Sequence, residues 1–286
     1  MNDFYIIFTS SLVAINCALM GCFLVMRKMV MIGDAISHAV LPGIFIAYYI
    51  SGSTASVPIL AGAALSGILA TVMIEWFTKK ARLQSDAAIG VSYTLLFAIG
   101  VILISKFGEN VDLDQQCVLY GEIEQIVFWL QPIGFGLQLP KQAIILLIVC
   151  VILLAGVIWG YKGLFITTFD PNFALSTGVA VTFWHYFLMS GVSLSTVVSF
   201  ESVGAILVIA FLSGPPAIAY LLTEDFKRMI FLSAIIGIIC SAAGYYVSMY
   251  FDVSIAGSIS AVIGLAFILV FVGTRVVKSK VDVISA

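Results

Sequence analysis

The sequence predicts an all-α, polytopic transmembrane helical bundle of about nine spans, with the N-terminus outside and the C-terminus cytoplasmic. Three observations carry that reading. The chain is 62% hydrophobic and only 10% charged over 286 residues, whereas a soluble domain carries about 25% charged residues. Apolar runs long enough to cross a bilayer recur along the whole chain. Lys and Arg fall in every second connection between those runs, which fixes one consistent parity. The net charge of −2 argues against a nucleic-acid partner, and the lipid bilayer is the expected environment. No charged n-region with a small-residue cleavage site precedes the first apolar run, so no removable signal peptide is expected.

The spans are read at about Tyr5–Val25, Met31–Ile50, Val57–Phe77, Ala88–Ser105, Ala143–Trp159, Gly178–Val198, Phe200–Leu222, Ile230–Phe251 and Ile255–Gly273. Arg27-Lys28 follows the first, Lys79, Lys80 and Arg82 the third, and Lys162 the fifth. Lys227-Arg228 follows the seventh, and Arg275, Lys278 and Lys280 the ninth. These connections are expected to face the cytoplasm. The whole chain, 1–286, reads as one transmembrane domain, with an extracytoplasmic loop at about 106–142 and a cytoplasmic segment at about 167–178. The outer loop carries Glu109, Asp112, Asp114, Glu122 and Glu124, with Val127, Phe128, Trp129 and Leu130 expected at the membrane surface. Small residues at Gly62/Ser66, Ala63/Gly67 and Gly257/Ala261 have helix-packing spacing. The five cysteines, Cys17, Cys22, Cys117, Cys150 and Cys240, form no Cys-x-x-Cys pair and read as small hydrophobes.

The stretch Gly33–Gly43, GDAISHAVLPG, carries the most chemistry. Asp34 and His38 are four residues apart, so on a helix they share one face. Pro42 lies four residues further on and has no N–H, which leaves the His38 carbonyl without its helical donor. A carboxylate, an imidazole and a freed carbonyl thus gather where ionisable groups are expensive and usually functional. The set suits a divalent transition ion better than Ca²⁺ or Mg²⁺. Two side chains cannot fill a coordination sphere, which suits transient binding during passage. The plain alternative is a helix-cap Asp beside a satisfied core His. Asp34 lies about one and a half turns past the Arg27-Lys28 boundary by the rise per residue, in the inner half or middle of the membrane.

In Thr167–Gly178, TTFDPNFALSTG, Asp170 suits an N-cap, Pro171 the first helical position and Gly178 the end of a helix of about two turns. Phe169 and Phe173 flank Asp170, and the segment is either a simple turn or a knob that docks on a partner. In Ser199–Leu222, Pro215-Pro216 beside Gly214 removes the donors to the Phe211 and Leu212 carbonyls, so a kinked or broken helix is expected. Glu201 is placed near the outer end of that seventh span, as an entrance residue or a solvated cap. Pro42, Glu201, Gly214, Pro215 and Pro216 are the candidate pathway or gate positions. His185, in Phe-Trp-His-Tyr-Phe, has no acidic neighbour at helical spacing and is a weaker ligand candidate. There is no Gly-x4-Gly-Lys-[Ser/Thr], so the chain is no ATPase, and no His-Glu-x-x-His of a zinc protease.

Four segments, Met26–Gly43, Asn110–Ile123, Thr167–Val179 and Val203–Leu222, together resemble the zinc/manganese/iron permease family of bacterial ABC importers. The resemblance implies a non-enzymatic transport subunit in a bacterial cytoplasmic (inner) membrane, paired with a second permease chain, the same or a paralogue. It implies cytoplasmic ATPase subunits, an extracytoplasmic metal-binding protein, and no permanently bound cofactor. The cargo would be manganese, iron or zinc, and Ser-His-Ala-Val-Leu-Pro-Gly is closer to the manganese/iron branch. The positions matching Asp34 and His38 are implied to hold the metal. The segment matching Thr168–Gly178 is implied to be the coupling helix on the ATPase. The competing reading is an ion-coupled secondary carrier that uses the same Asp/His pair without an ATPase; a membrane metalloenzyme would need more fixed ligands.

Overall fold

The computed structural model describes residues 2–51, 56–107, 130–132 and 138–284. Cys117, the acidic loop residues 109–124 and the surface positions 127–129 lie outside these. The first spans are α1 (Asn2–Met26), the pair α2 (Met31–Ala39) and α3 (Leu41–Ser51), α4 (Ser56–Lys79) and α5 (Ser85–Phe107). A two-stranded antiparallel hairpin follows, β1 (Leu130–Pro132) on β2 (Gln138–Pro140), with Leu130 opposite Pro140. Then come α6 (Lys141–Phe169), α7 (Pro171–Ser176), α8 (Val181–Val203), α9 (Ala205–Leu222), α10 (Phe226–Phe251) and α11 (Ile255–Ile284). Among the described residues, nine segments are long and apolar enough to cross a membrane, and each overlaps one of the nine runs read from the sequence.

The helices form two packed groups. In the first, α1 contacts α6, α8, α9 and α10, and α11 closes on α9 and α10. The spanning window of α1 is 78% buried, against 28% for those of α5 and α11, so α1 is the axis of the bundle. In the second, α2, α3, α4 and α5 pack on one another. Helix α8 joins the groups, touching α1 and α6 as well as α4 and α2. Polar side chains cross the helix contacts as glue. Asn16 Nδ2 donates to the Leu146 carbonyl at 3.2 Å, Ser10 bonds Ser241, and the Tyr245 hydroxyl donates to Asp3 at 2.7 Å. The four described cysteines are free and buried, as small hydrophobes should be.

Three features depart from the sequence reading. Helix α9 runs unbroken through Pro215 and Pro216, because a proline in a buried span costs only the donors it lacks when neighbours cover the freed carbonyls. The Leu212 carbonyl is one of these, and it lies against Gly21 of α1, where any side chain would collide with it. The true interruption comes earlier, at Gly204, which joins α8 to α9 in a single residue at φ +81°. Glu201 therefore belongs to the last turn of the sixth span, not to the seventh. Finally, Gly257 and Ala261 face outward, while Gly62 and Ser66 do pack, against Gly43 of α3.

The α1–α9 contact gives a stability test. Gly21→Val should cost about 1–3 kcal/mol through overpacking, read as a lowered thermal-unfolding midpoint in detergent. Gly90→Ala, at a position where a Cβ meets nothing within 4 Å, should leave the midpoint unchanged or raised. Equal losses in both variants would contradict the packing account.

Candidate metal site and docking helix

The second span is divided into two helices. Helix α2 ends at Ala39, Val40 bridges in right-handed helical geometry, and α3 begins at Leu41 with Pro42 in its first turn. Pro42 thus sits where a missing N–H is best tolerated, and helical bonding resumes with Ile44 N to Val40 O at 3.0 Å. The joint is held by its neighbours. Ser66 of α4 donates to the Ala39 carbonyl, and Gly100 of α5 comes against Leu41 and Pro42. One turn earlier, Ser37 Oγ donates to the Asp34 carbonyl at 2.7 Å.

Asp34 and His38 meet on this helix, with His38 Nε2 3.4 Å from Asp34 Oδ1 and side chains 33% (His38) and 26% (Asp34) exposed. Two donors each about 2.1 Å from one ion lie about 3.0–3.4 Å apart, so the pair is already spaced to share a cation. Tyr93 and Phe97 of α5 wall the imidazole, with ring centroids 5.8 and 6.1 Å away. Neither was singled out from the sequence, although their own i,i+4 spacing marks one face of α5. Gly33 touches Leu212, which sets Asp34 near the middle of α9. Among the described residues, no group of three or more His, Cys, Asp or Glu stands where it could hold a metal ion.

The other candidate gate positions are dispersed. Pro42 adjoins the pair. Gly214 packs against Ile263 of α11, and Pro216 lies near Gly21. Glu201 is exposed at the Gly204 end of α8, away from Asp34. His185 does not join Asp34 and His38; its Nδ1 lies 3.3 Å from Arg27 Nη1.

The segment after α6 folds as its local chemistry dictates. Asp170 Oδ1 accepts from Phe173 N at 2.8 Å, Pro171 occupies the first helical position, and α7 follows. Gly178, at φ +76°, ends it: Val179 N bonds Ala174 O at 2.9 Å and Gly178 N bonds Leu175 O at 3.2 Å. These two bonds are the paired closure of a left-handed helix stop. Phe173 is 54% and Leu175 63% exposed, while Ala174 is buried. Phe169 packs edge-on against Phe226 at 5.5 Å and beside Phe165 at 4.7 Å. The outward apolar pair of α7 is therefore Phe173 and Leu175. Arg27, Lys79 and Lys227 gather at the same end of the bundle: Arg27 bonds Thr168, Lys227 lies over Tyr161, and Lys79, paired with Glu75, stands with Arg27 around His185.

The chain matches the ABC 3 transport family over residues 4–274. It is 44% identical over 268 residues to the manganese transport system membrane protein MntD of Bacillus subtilis, covering 93% of this chain and 90% of that one. It is 37% identical to the zinc transport system membrane protein TroD of Treponema pallidum, covering 93% and 72%. Among solved structures it is similar to PsaBC from Streptococcus pneumoniae in complex with Fab, with a TM-score of 0.77 and 32% identity over 93% of this chain and 90% of that one.

The cap on α7 is separately testable. Asp170→Ala should cost about 1 kcal/mol of helix stability, roughly a fivefold loss of hydrogen-exchange protection at the amides of residues 173–179. Asp170→Asn keeps an acceptor and should keep the protection; identical exchange in all three proteins would contradict the cap.

Proposed function

The chain belongs to the ABC 3 transport family, and from that premise we propose that it is the membrane-spanning permease subunit of an ATP-driven importer of divalent transition metal ions. Manganese is favoured over zinc, in line with relatives such as MntD of Bacillus subtilis that are named for manganese transport. The observation that carries the reading is the Asp34/His38 pair, 3.4 Å apart, partly open, and set at an interruption in a spanning helix. Discontinuous helices that present side chains and carbonyls at mid-membrane are how many carriers build ion sites.

Asp34 and His38 hold the ion, and water, backbone carbonyls or a second permease chain complete its sphere. An incomplete set binds weakly enough to release, which a transported ion requires. The end that gathers Arg27, Lys79 and Lys227 is the cytoplasmic end by the positive-inside rule. That orientation puts the N-terminus outside, the loop 106–142 outside and the segment 167–178 inside, within one transmembrane domain spanning 1–286. Helix α7 then docks on a separate ATPase subunit. Phe173 and Leu175 are the anchors; Phe169, Asp170, Pro171 and Gly178 shape and seat the helix. An extracytoplasmic metal-binding protein delivers the ion, and hydrolysis in the ATPase rocks the spans between outward and inward access in the bacterial inner membrane.

Asp34→Ala and His38→Ala are each expected to cut manganese uptake at least tenfold in cells while the amount of protein in the membrane is unchanged; normal uptake by both sinks the site. In proteoliposomes, Phe173→Ala should let the ATPase hydrolyse without proportionate transport, and the permease alone should move no metal. Uptake by the permease alone would favour a secondary carrier instead.

A further inference from the structure

Arg27 lies at the joint between α1 and the site helix α2, yet its side chain is committed elsewhere. Its Nε donates to Thr168 Oγ1 at 3.0 Å, its Nη2 to Thr167 Oγ1 at 3.1 Å, and its Nη1 faces His185 Nδ1 at 3.3 Å. The two threonines close α6, immediately before α7, and His185 stands in the second turn of α8, immediately after it. One guanidinium thus holds both ends of the chain that bracket the docking helix.

The hydroxyls are oriented to receive it. Thr168 donates its own proton to Leu164 O at 2.6 Å and Thr167 donates to Gly163 O at 2.8 Å, so their lone pairs remain for Arg27. A guanidinium has no acceptor, so His185 Nδ1 accepts and its ring proton sits on Nε2. Burial pushes the Arg27 guanidinium down to about 10, which leaves it charged at physiological pH. From Arg27 only the turn 28–30, with Lys28 at φ +57°, separates this clamp from α2 and Asp34. Bonds of a planar fork fix direction as well as distance, so a shift of α7's base must move the α1–α2 joint or break the clamp.

We propose that Arg27 is the positioning residue that carries displacement of α7 into the helix bearing Asp34 and His38. The proposal rests on the reading of α7 as the ATPase-docking helix.

The test uses the permease assembled with its ATPase in proteoliposomes, reading manganese ions moved per ATP hydrolysed. The double variant Thr167→Val/Thr168→Val keeps shape and removes both acceptors, and should lower that ratio at least fivefold. Thr167→Ser/Thr168→Ser restores the hydroxyls and should stay within twofold of the unmodified complex. Arg27→Gln should lose as much as the Val pair, and the combination should lose no more than either, because both remove the same contact. A Val pair that keeps the ratio within twofold overturns the proposal, as do losses that multiply in the combination. Co-purification of permease and ATPase is scored in the same samples; assembly lost in the Val pair would assign the hydroxyls to folding and also overturn it. Phe173→Ala run alongside separates the two levels. If it stays coupled, the docking reading fails; if it uncouples while the Val pair does not, the Arg27 relay alone fails.

Discussion

A backbone N–H or C=O left unpaired in hydrocarbon costs several kcal/mol, and that penalty governs where this chain can depart from regular helix. Where the spans are interrupted, neighbouring helices close over the break. The α2–α3 joint lies under Ser66 and Gly100, and the Leu212 carbonyl freed by Pro216 lies against Gly21. The single-residue turn at Gly204 is buried. Helix α2, which bears Asp34 and His38 and runs into the joint with α3, lies inside the α2–α5 group.

The same constraint explains the character of the site. A complete cage of charged ligands in one chain would need several ionisable side chains desolvated together. Here two suffice to mark the position, spaced to share an ion and walled by Tyr93 and Phe97. On the proposed reading, what remains of the coordination sphere comes from outside these two groups, so occupancy depends on which state of the transporter supplies it. An ion held by partners that move can be released when they do.

The nine spans were legible because length and apolarity decide membrane helices almost alone. Helix α7 was legible down to its caps, since Asp170, Pro171 and Gly178 act on neighbours within a few residues. Asp34 and His38 were legible through i,i+4 spacing. The rest depended on tertiary contact. Nothing local told that Pro215-Pro216 would be absorbed into α9, because the reason lies at Gly21, nearly two hundred positions earlier. The turn at Gly204 was misplaced because a lone glycine in an apolar run gives no sign of its φ. The walls of the site come from α5, and the clamp on Thr167 and Thr168 from the end of α1. His185 looked isolated because the groups that face it, Arg27 at the α1–α2 joint and Glu75 of α4, come from distant parts of the chain.

The central claim is that His38 is a ligand of the transported ion, and manganese makes it measurable. The chain has only two histidines, so a nitrogen coupled to Mn²⁺ can be assigned by substitution. Electron spin-echo modulation of Mn²⁺ bound to the purified nucleotide-free complex should show a coordinated imidazole nitrogen. The signal should vanish in His38→Gln and persist in His185→Gln. Manganese bound at full stoichiometry with no nitrogen coupling, or a coupling that survives His38→Gln, would contradict the account.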